Sequence, residues 1–163
     1  MNKTDILHKY PPIMENVLLI LHEFQNNNPH HYVSENDLAM IAGYLNVPYS
    51  SIYGVVTYYS LFSLTPRGHY IVRICNSPVC QMADAIEILA ALRINLKIDI
   101  GETTGDGLFT LETTECLGQC DSAPGMSVNE TYYGNLTAKK IKRILKEYQN
   151  QSIINNSSNH RDL

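Results

Sequence analysis

The chain has 163 residues and a formal net charge of -4 at pH 7, long enough for one large or two small domains, each with its own core. Hydrophobic residues make up 44% and charged residues 17%, an ordinary globular balance whose sign gives no general attraction for DNA, RNA or an anionic membrane surface. No apolar run approaches membrane-spanning length, and Met1-Asn2-Lys3-Thr4-Asp5 lacks the apolar core and cleavage site of a secretory signal, so a soluble cytoplasmic chain without membrane insertion is expected.

Residues 1–10 carry no pattern. Pro11-Pro12 suits the first turn of a helix, and Ile13, Val17, Leu21 and Phe24 then recur at helical spacing to about Gln25. Ser34 is a good N-cap, with Glu35 and Asp37 favourable in the first turn, for a second helix carrying Leu38, Ile41, Ala42 and Leu45. Ser50 or Ser51 is expected to cap a third, with Ile52, Val55, Val56 and Tyr59 on its stripe. Leu64-Thr65-Pro66-Arg67-Gly68 reads as a linker. Residues 69–75 are strand-like, and Gln81 to Ile94 suits a helix. Leu96 to Ile100 alternates like a short strand, Gly101 to Gly107 reads as a hairpin turn, and 108–114 is a further strand. Gly125 to Val128 and Glu130 to Tyr133 predict two strands turned at Asn129. Thr137 caps a last helix, with Ile141, Ile144, Leu145 and Tyr148 on one face and Lys139, Lys140, Lys142, Arg143 and Lys146 on the other. The expected organisation is a three-helix domain over 1–66, an α/β domain with helices against a mixed sheet over 67–149, and a disordered polar tail over 150–163.

The chain's four cysteines stand as Cys75-x4-Cys80 and, 35 residues on, Cys116-x3-Cys120. Each pair follows a strand-like run, so two loops at one sheet edge would gather four thiolates. In a reducing compartment such clustering points to metal or redox chemistry before disulfides. Thiolates suit zinc or an iron–sulfur cluster. All-cysteine zinc sites favour Cys-x2-Cys knuckles, and these wider loops fit a two-iron object better, but spacing leaves zinc open. Cys80 should lie near the start of the helix at 81–94, whose N–H groups favour thiolate. Gly118 permits close backbone approach to sulfur.

The cysteine pattern, with Leu117-Gly118 inside the second loop and Ala123-Pro124 after it, resembles the thioredoxin-like 2Fe-2S ferredoxin subunit family. That family includes the small NADH-module subunit of respiratory complex I and the matching subunits of NAD(P)-linked or electron-bifurcating iron hydrogenases and formate dehydrogenases. The stretches 53–59, 101–107 and 132–137 are also similar to it, and the similarity runs from about residue 11 to 149. The resemblance implies a thioredoxin-like domain with one 2Fe-2S cluster, Cys75 and Cys80 on one iron and Cys116 and Cys120 on the other. It implies one-electron transfer without catalysis by the chain alone. It also implies a flavin- and NAD(P)H-binding iron–sulfur partner that carries the FMN and NAD(P), with a hydrogenase or quinone-module subunit beyond. The stretch Gln81-Met82-Ala83-Asp84 departs from the basic or aromatic residue and glycine common there.

Other features read more plainly. The stretch 38–52 resembles a helix-turn-helix, but no Lys or Arg occurs between Pro11 and Pro66, so phosphate contacts are missing and no nucleic-acid partner is expected. Tyr49, Tyr53, Tyr58, Tyr59 and Phe62 suit a protein-docking surface or core. His30-His31 is a solvated turn, and 101–107 is no P-loop. Glu115 and Asp121, beside the third and fourth cysteines, are either ordinary loop carboxylates or charges that lower a cluster's potential. Arg73 reads as a solvated strand residue.

Overall fold

The first helix begins earlier than the sequence pattern shows. Asn2 caps α1 (Lys3–His8) by accepting from the Thr4 amide, and the helix buries Ile6 and Leu7. Six residues are too few to display a period, so the expectation of a patternless lead-in is corrected here. Pro11-Pro12 precede the next helix instead of opening it. A 3-10 turn at Met14–Asn16 leads into α2 (Val17–Asn26). α3 (Glu35–Leu45) starts as expected, with Ser34 and Asp37 forming a reciprocal capping box, and ends at Asn46 in the left-handed conformation. α4 (Tyr49–Tyr58) starts ahead of Ser50, with Pro48 at the capping position and no side-chain cap. The helical region therefore has four α-helices where three were expected, around Ile6, Ile20, Leu21, Phe24, Leu38 and Ile52.

The computed structural model describes residues 2–158, and the chain divides into two units, Met1–His69 and Tyr70–Leu163. Arg67 is tied to residues of the first unit. Its amide donates to the His30 carbonyl at 2.7 Å and its Nε to the His31 carbonyl at 2.8 Å.

The second unit runs β1 (Tyr70–Cys75), α5 (Pro78–Met82), α6 (Ala85–Leu96), β2 (Phe109–Thr114), β3 (Met126–Val128), β4 (Thr131–Tyr133) and α7 (Ala138–Ser158). The sheet order is β2-β1-β3-β4. β1 and β2 are parallel, with Cys75 opposite Thr114, while β3 is antiparallel to both β1 and β4. Alternate β1 residues Tyr70, Val72 and Ile74 share a core with Ile88 and Leu92 of α6 and Ile141 and Ile144 of α7. This is the α/β architecture expected, a mixed sheet with helices against it.

Three local expectations are corrected. The single helix over 81–94 is two: Pro78 opens the short α5, and Asp84 at φ 63° separates it from α6. The strand at 96–100 is absent. Leu96 is buried as the last residue of α6, and Lys97 at φ 58° turns the chain away, so the Leu-x-Ile-x-Ile alternation belongs to a helix end and a loop. The tail does not part from the helix at Asn150, because α7 continues to Ser158. Once a helix is nucleated each further residue adds one hydrogen bond, which outweighs the modest helix propensity of Asn and Ser. Residues 159–163 of the expected tail lie outside the described residues. The 101–107 segment forms the expected hairpin turn, with an antiparallel bridge between Thr103 and Thr110. Among the described residues no helix is long and apolar enough to cross a membrane.

Candidate metal centre

Parallel pairing of β1 with β2 puts the ends of both strands at one sheet edge. Cys75 is the last residue of β1, and the Asn76 amide donates to the Thr114 carbonyl at 2.9 Å. Cys116 follows two residues after Thr114. The chain then returns at the same edge to β3, where the Cys75 amide donates to the Gly125 carbonyl at 3.0 Å. The sheet thus gathers both cysteine loops at one place, and all four cysteines line one pocket with Leu117, Gln119, Gly125 and Tyr132. None is disulfide-bonded.

The two pairs differ in environment. Cys75 and Cys80 are buried, packed with Ala85, while Cys116 and Cys120 are exposed. Cys116 and Cys120 stand 3.5 Å apart, sulfur to sulfur. Cys80 is the third residue of α5 and not the start of the long helix, a correction that follows from the break at Asp84. Among the described residues no three His, Cys, Asp or Glu side chains converge as the ligands of one metal ion. The arrangement is two pairs around a shared space.

The loops hold their shape through backbone groups. Gly118, at φ 81°, turns its amide toward the Cys116 sulfur at 3.4 Å. The Gln81 amide side chain closes the first loop onto the Asn76 carbonyl and side chain, each at 2.9 Å. Tyr132 fastens the second loop, its hydroxyl donating to the Gln119 carbonyl at 3.2 Å and meeting the Ser122 hydroxyl at 3.1 Å. The Ser77 hydroxyl lies 3.2 Å from the Cys75 sulfur. Spacing alone did not reveal Ser77 or Tyr132 as parts of the site. Ser77 does stand just before a proline that opens a helix, a signal that its side chain is fixed near the first loop.

The thiols sense one another. Burial pushes Cys75 up, but hydrogen bonds from the Ser77 hydroxyl and amide, from Cys80 and from the Leu117 amide outweigh it, and the thiol lies below its usual range. Burial and the neighbouring Cys75 hold Cys80 above it. Cys120 is raised by its bond to Cys116 and by the charge of Cys116, with smaller contributions from burial, Cys80 and Cys75. A negative sulfur in the first loop is thus felt at Cys120 in the second.

This donor set fits an iron–sulfur group: four soft thiols in two pairs, with backbone amides aimed at Cys75, Cys80 and Cys116. Arg73 is not the solvated residue expected. It pairs with Glu112 at 2.9 Å across β1 and β2, and both side chains are largely covered. Of the tyrosine group, Tyr49, Tyr53, Tyr58 and Tyr59 are exposed, and Phe62 is buried.

A mixed sheet backed by helices, with four free thiols gathered around one pocket, defines an α/β protein with a cysteine-lined site. The chain belongs to the thioredoxin-like 2Fe-2S ferredoxin family, whose model matches residues 3–149. It is 40% identical over 108 residues to the NADP-reducing hydrogenase subunit HndA of Solidesulfovibrio fructosivorans, covering 66% of this chain and 63% of that subunit. It is 33% identical over 147 residues to a NADH-quinone oxidoreductase subunit of Rickettsia felis, covering 90% and 88%. With the corresponding NADH-quinone oxidoreductase subunit of Salmonella typhimurium the identity is 40% over 118 residues, covering 72% and 71%. Its fold matches a chain of a NAD+-reducing NiFe-hydrogenase with a TM-score of 0.73 at 23% identity, over 83% of this chain and 22% of that one. The chain therefore spans under two thirds of the hydrogenase subunit and under a quarter of the solved chain.

Proposed function

We propose that Cys75, Cys80, Cys116 and Cys120 hold one 2Fe-2S cluster and that the chain serves as a one-electron relay in a multisubunit NAD(P)H-linked oxidoreductase. The observation that carries this is the meeting of four thiols, as two pairs, around one pocket at the shared end of β1 and β2. Two pairs suit two metal atoms, and zinc would ask all four sulfurs to converge on one point. When bound, such a cluster accepts and returns one electron.

The chain's own residues do the holding and shielding. Cys75 and Cys80 supply the buried side and keep water from it, while Cys116 and Cys120 supply the side open to solvent or a partner. Amides of Leu117, Gly118 and Gly125 donate toward sulfur and favour its anionic form. Cys75 and Cys80 serve one metal atom, and Cys116 and Cys120 the other. The relatives' names, a NADP-reducing hydrogenase and a NADH-quinone oxidoreductase, support a partner that binds NAD(P)H and the FMN that splits its electron pair.

The test is chemical analysis of anaerobically purified protein. Two irons and two acid-labile sulfides per chain, with a paramagnetic signal that appears on dithionite reduction and vanishes on oxidation, are the expected result. One zinc per chain with no sulfide and no signal would replace the relay with a zinc-stabilised interaction module.

A further inference from the structure

We propose that Ser77 is a positioning residue that sets the redox poise of this site through the Cys75 sulfur; the inference rests on the cluster reading above. Its hydroxyl stands 3.2 Å from the Cys75 Sγ, and both residues are buried, Ser77 at 8% exposure and Cys75 at 2%. Ser77 occupies the capping position of α5, where a serine hydroxyl ordinarily accepts from a backbone amide of the first turn. Here it makes no such bond. Only the Ser77 carbonyl serves the helix, accepting from the Gln81 amide at 2.9 Å. The side chain is therefore spent on sulfur.

The direction of the bond follows from the chemistry. While Cys75 carries a proton, either group can donate. A metal-bound thiolate has no proton, so the hydroxyl must then donate and the sulfur accept. That bond is stronger the more negative the sulfur, and one added electron makes the sulfurs of such a site more negative. The hydroxyl thus favours the reduced form and raises the potential. Ser77 also bears on Cys80, so its effect falls on the buried pair as a unit. The serine hydroxyl does not titrate in the working range, so its contribution does not change with pH.

The experiment is a dithionite titration of the whole protein followed by EPR, one electron per loaded site, with iron and sulfide counted in each sample. Ser77→Ala and Ser77→Gly both remove the hydroxyl, so that a well-loaded sample is at hand, and Ser77→Thr keeps it. At a fixed ambient potential the ratio of reduced to oxidised sites is expected to fall about tenfold in the hydroxyl-less variants, a shift of about 59 mV for one electron. It should hold near wild type with threonine, and the difference should be the same at pH 6.5 and 8. Fully loaded hydroxyl-less variants that titrate like wild type would overturn the inference and leave the cluster reading standing. A threonine variant that shifts as far as alanine would also overturn it, because packing and not the hydroxyl would then be the cause. A wild-type chain without iron and sulfide would overturn the cluster reading itself.

Discussion

Gly134 has almost no room beside the second cysteine loop. A methyl group there would stand 2.5 Å from the Ser122 hydroxyl, 2.6 Å from its Cβ and 2.7 Å from its backbone carbonyl. The carbonyl cannot swing aside, because it accepts from the Asn135 amide. Gly134→Ala should therefore push Ser122 and the 3-10 turn at Cys120–Ser122 away from β4, at a cost of about 1–3 kcal/mol, the usual range for overpacking. A lower denaturation midpoint in urea at an unchanged slope is the outcome that checks it. Nothing in a lone glycine announces such a constraint. The cysteines were legible because their chemistry and spacing are rare together. Ser77, Tyr132 and the Arg73–Glu112 pair were not, because their roles arise from neighbours that only the folded sheet supplies.

At the scale of elements, the turn between α6 and β2 shows how a short polar segment closes a sheet edge. Asp106 accepts from the Thr104 hydroxyl and from the Leu108 amide at 3.0 Å, and the Thr104 hydroxyl accepts in turn from the Phe109 amide at 3.0 Å. The Thr104 and Leu108 donors hold the Asp106 carboxyl below its ordinary range. A carboxylate whose folded pKa is depressed adds stability at pH values above its unfolded pKa of about 3.9, and loses it as pH falls through the folded value. Wild type should thus lose stability on acidification from about pH 5 downward, and Asp106→Asn should flatten that part of the profile. Thermal melts from pH 7 to pH 3 compare the two, and parallel profiles would remove Asp106 from the account. Element boundaries repeat the lesson of the residues. α3 was legible from Ser34 and Asp37 because a capping box is a local device. The break at Asp84 was not, since a non-glycine residue in the left-handed region leaves no mark in the hydrophobic period. The strand misread at 96–100 shares that origin, with Lys97 left-handed at the helix end.

For the molecule as a whole, the candidate site and the core beneath the sheet belong to a single unit. The buried cluster around Phe24 and Leu38 is drawn wholly from residues before Tyr70, and the cluster around Val72 and Leu111 wholly from residues after His69. All four cysteines, Ser77, the amides aimed at sulfur and Tyr132 lie in the second unit. Its hydrogen-bonded sheet is likewise complete without the helical region. A fragment starting at Tyr70 should consequently fold and take up the same iron and sulfide per chain as the full protein, with the same EPR line shape after reduction. Its free termini and smaller core lower its stability, since short chains bury a smaller fraction of their surface. Melting some degrees lower is therefore consistent with the prediction. Loss of iron and sulfide from a fragment that still shows its sheet and helices by circular dichroism would count against it. The metal centre would then depend on residues 1–69, and the helical region would be part of the site's construction.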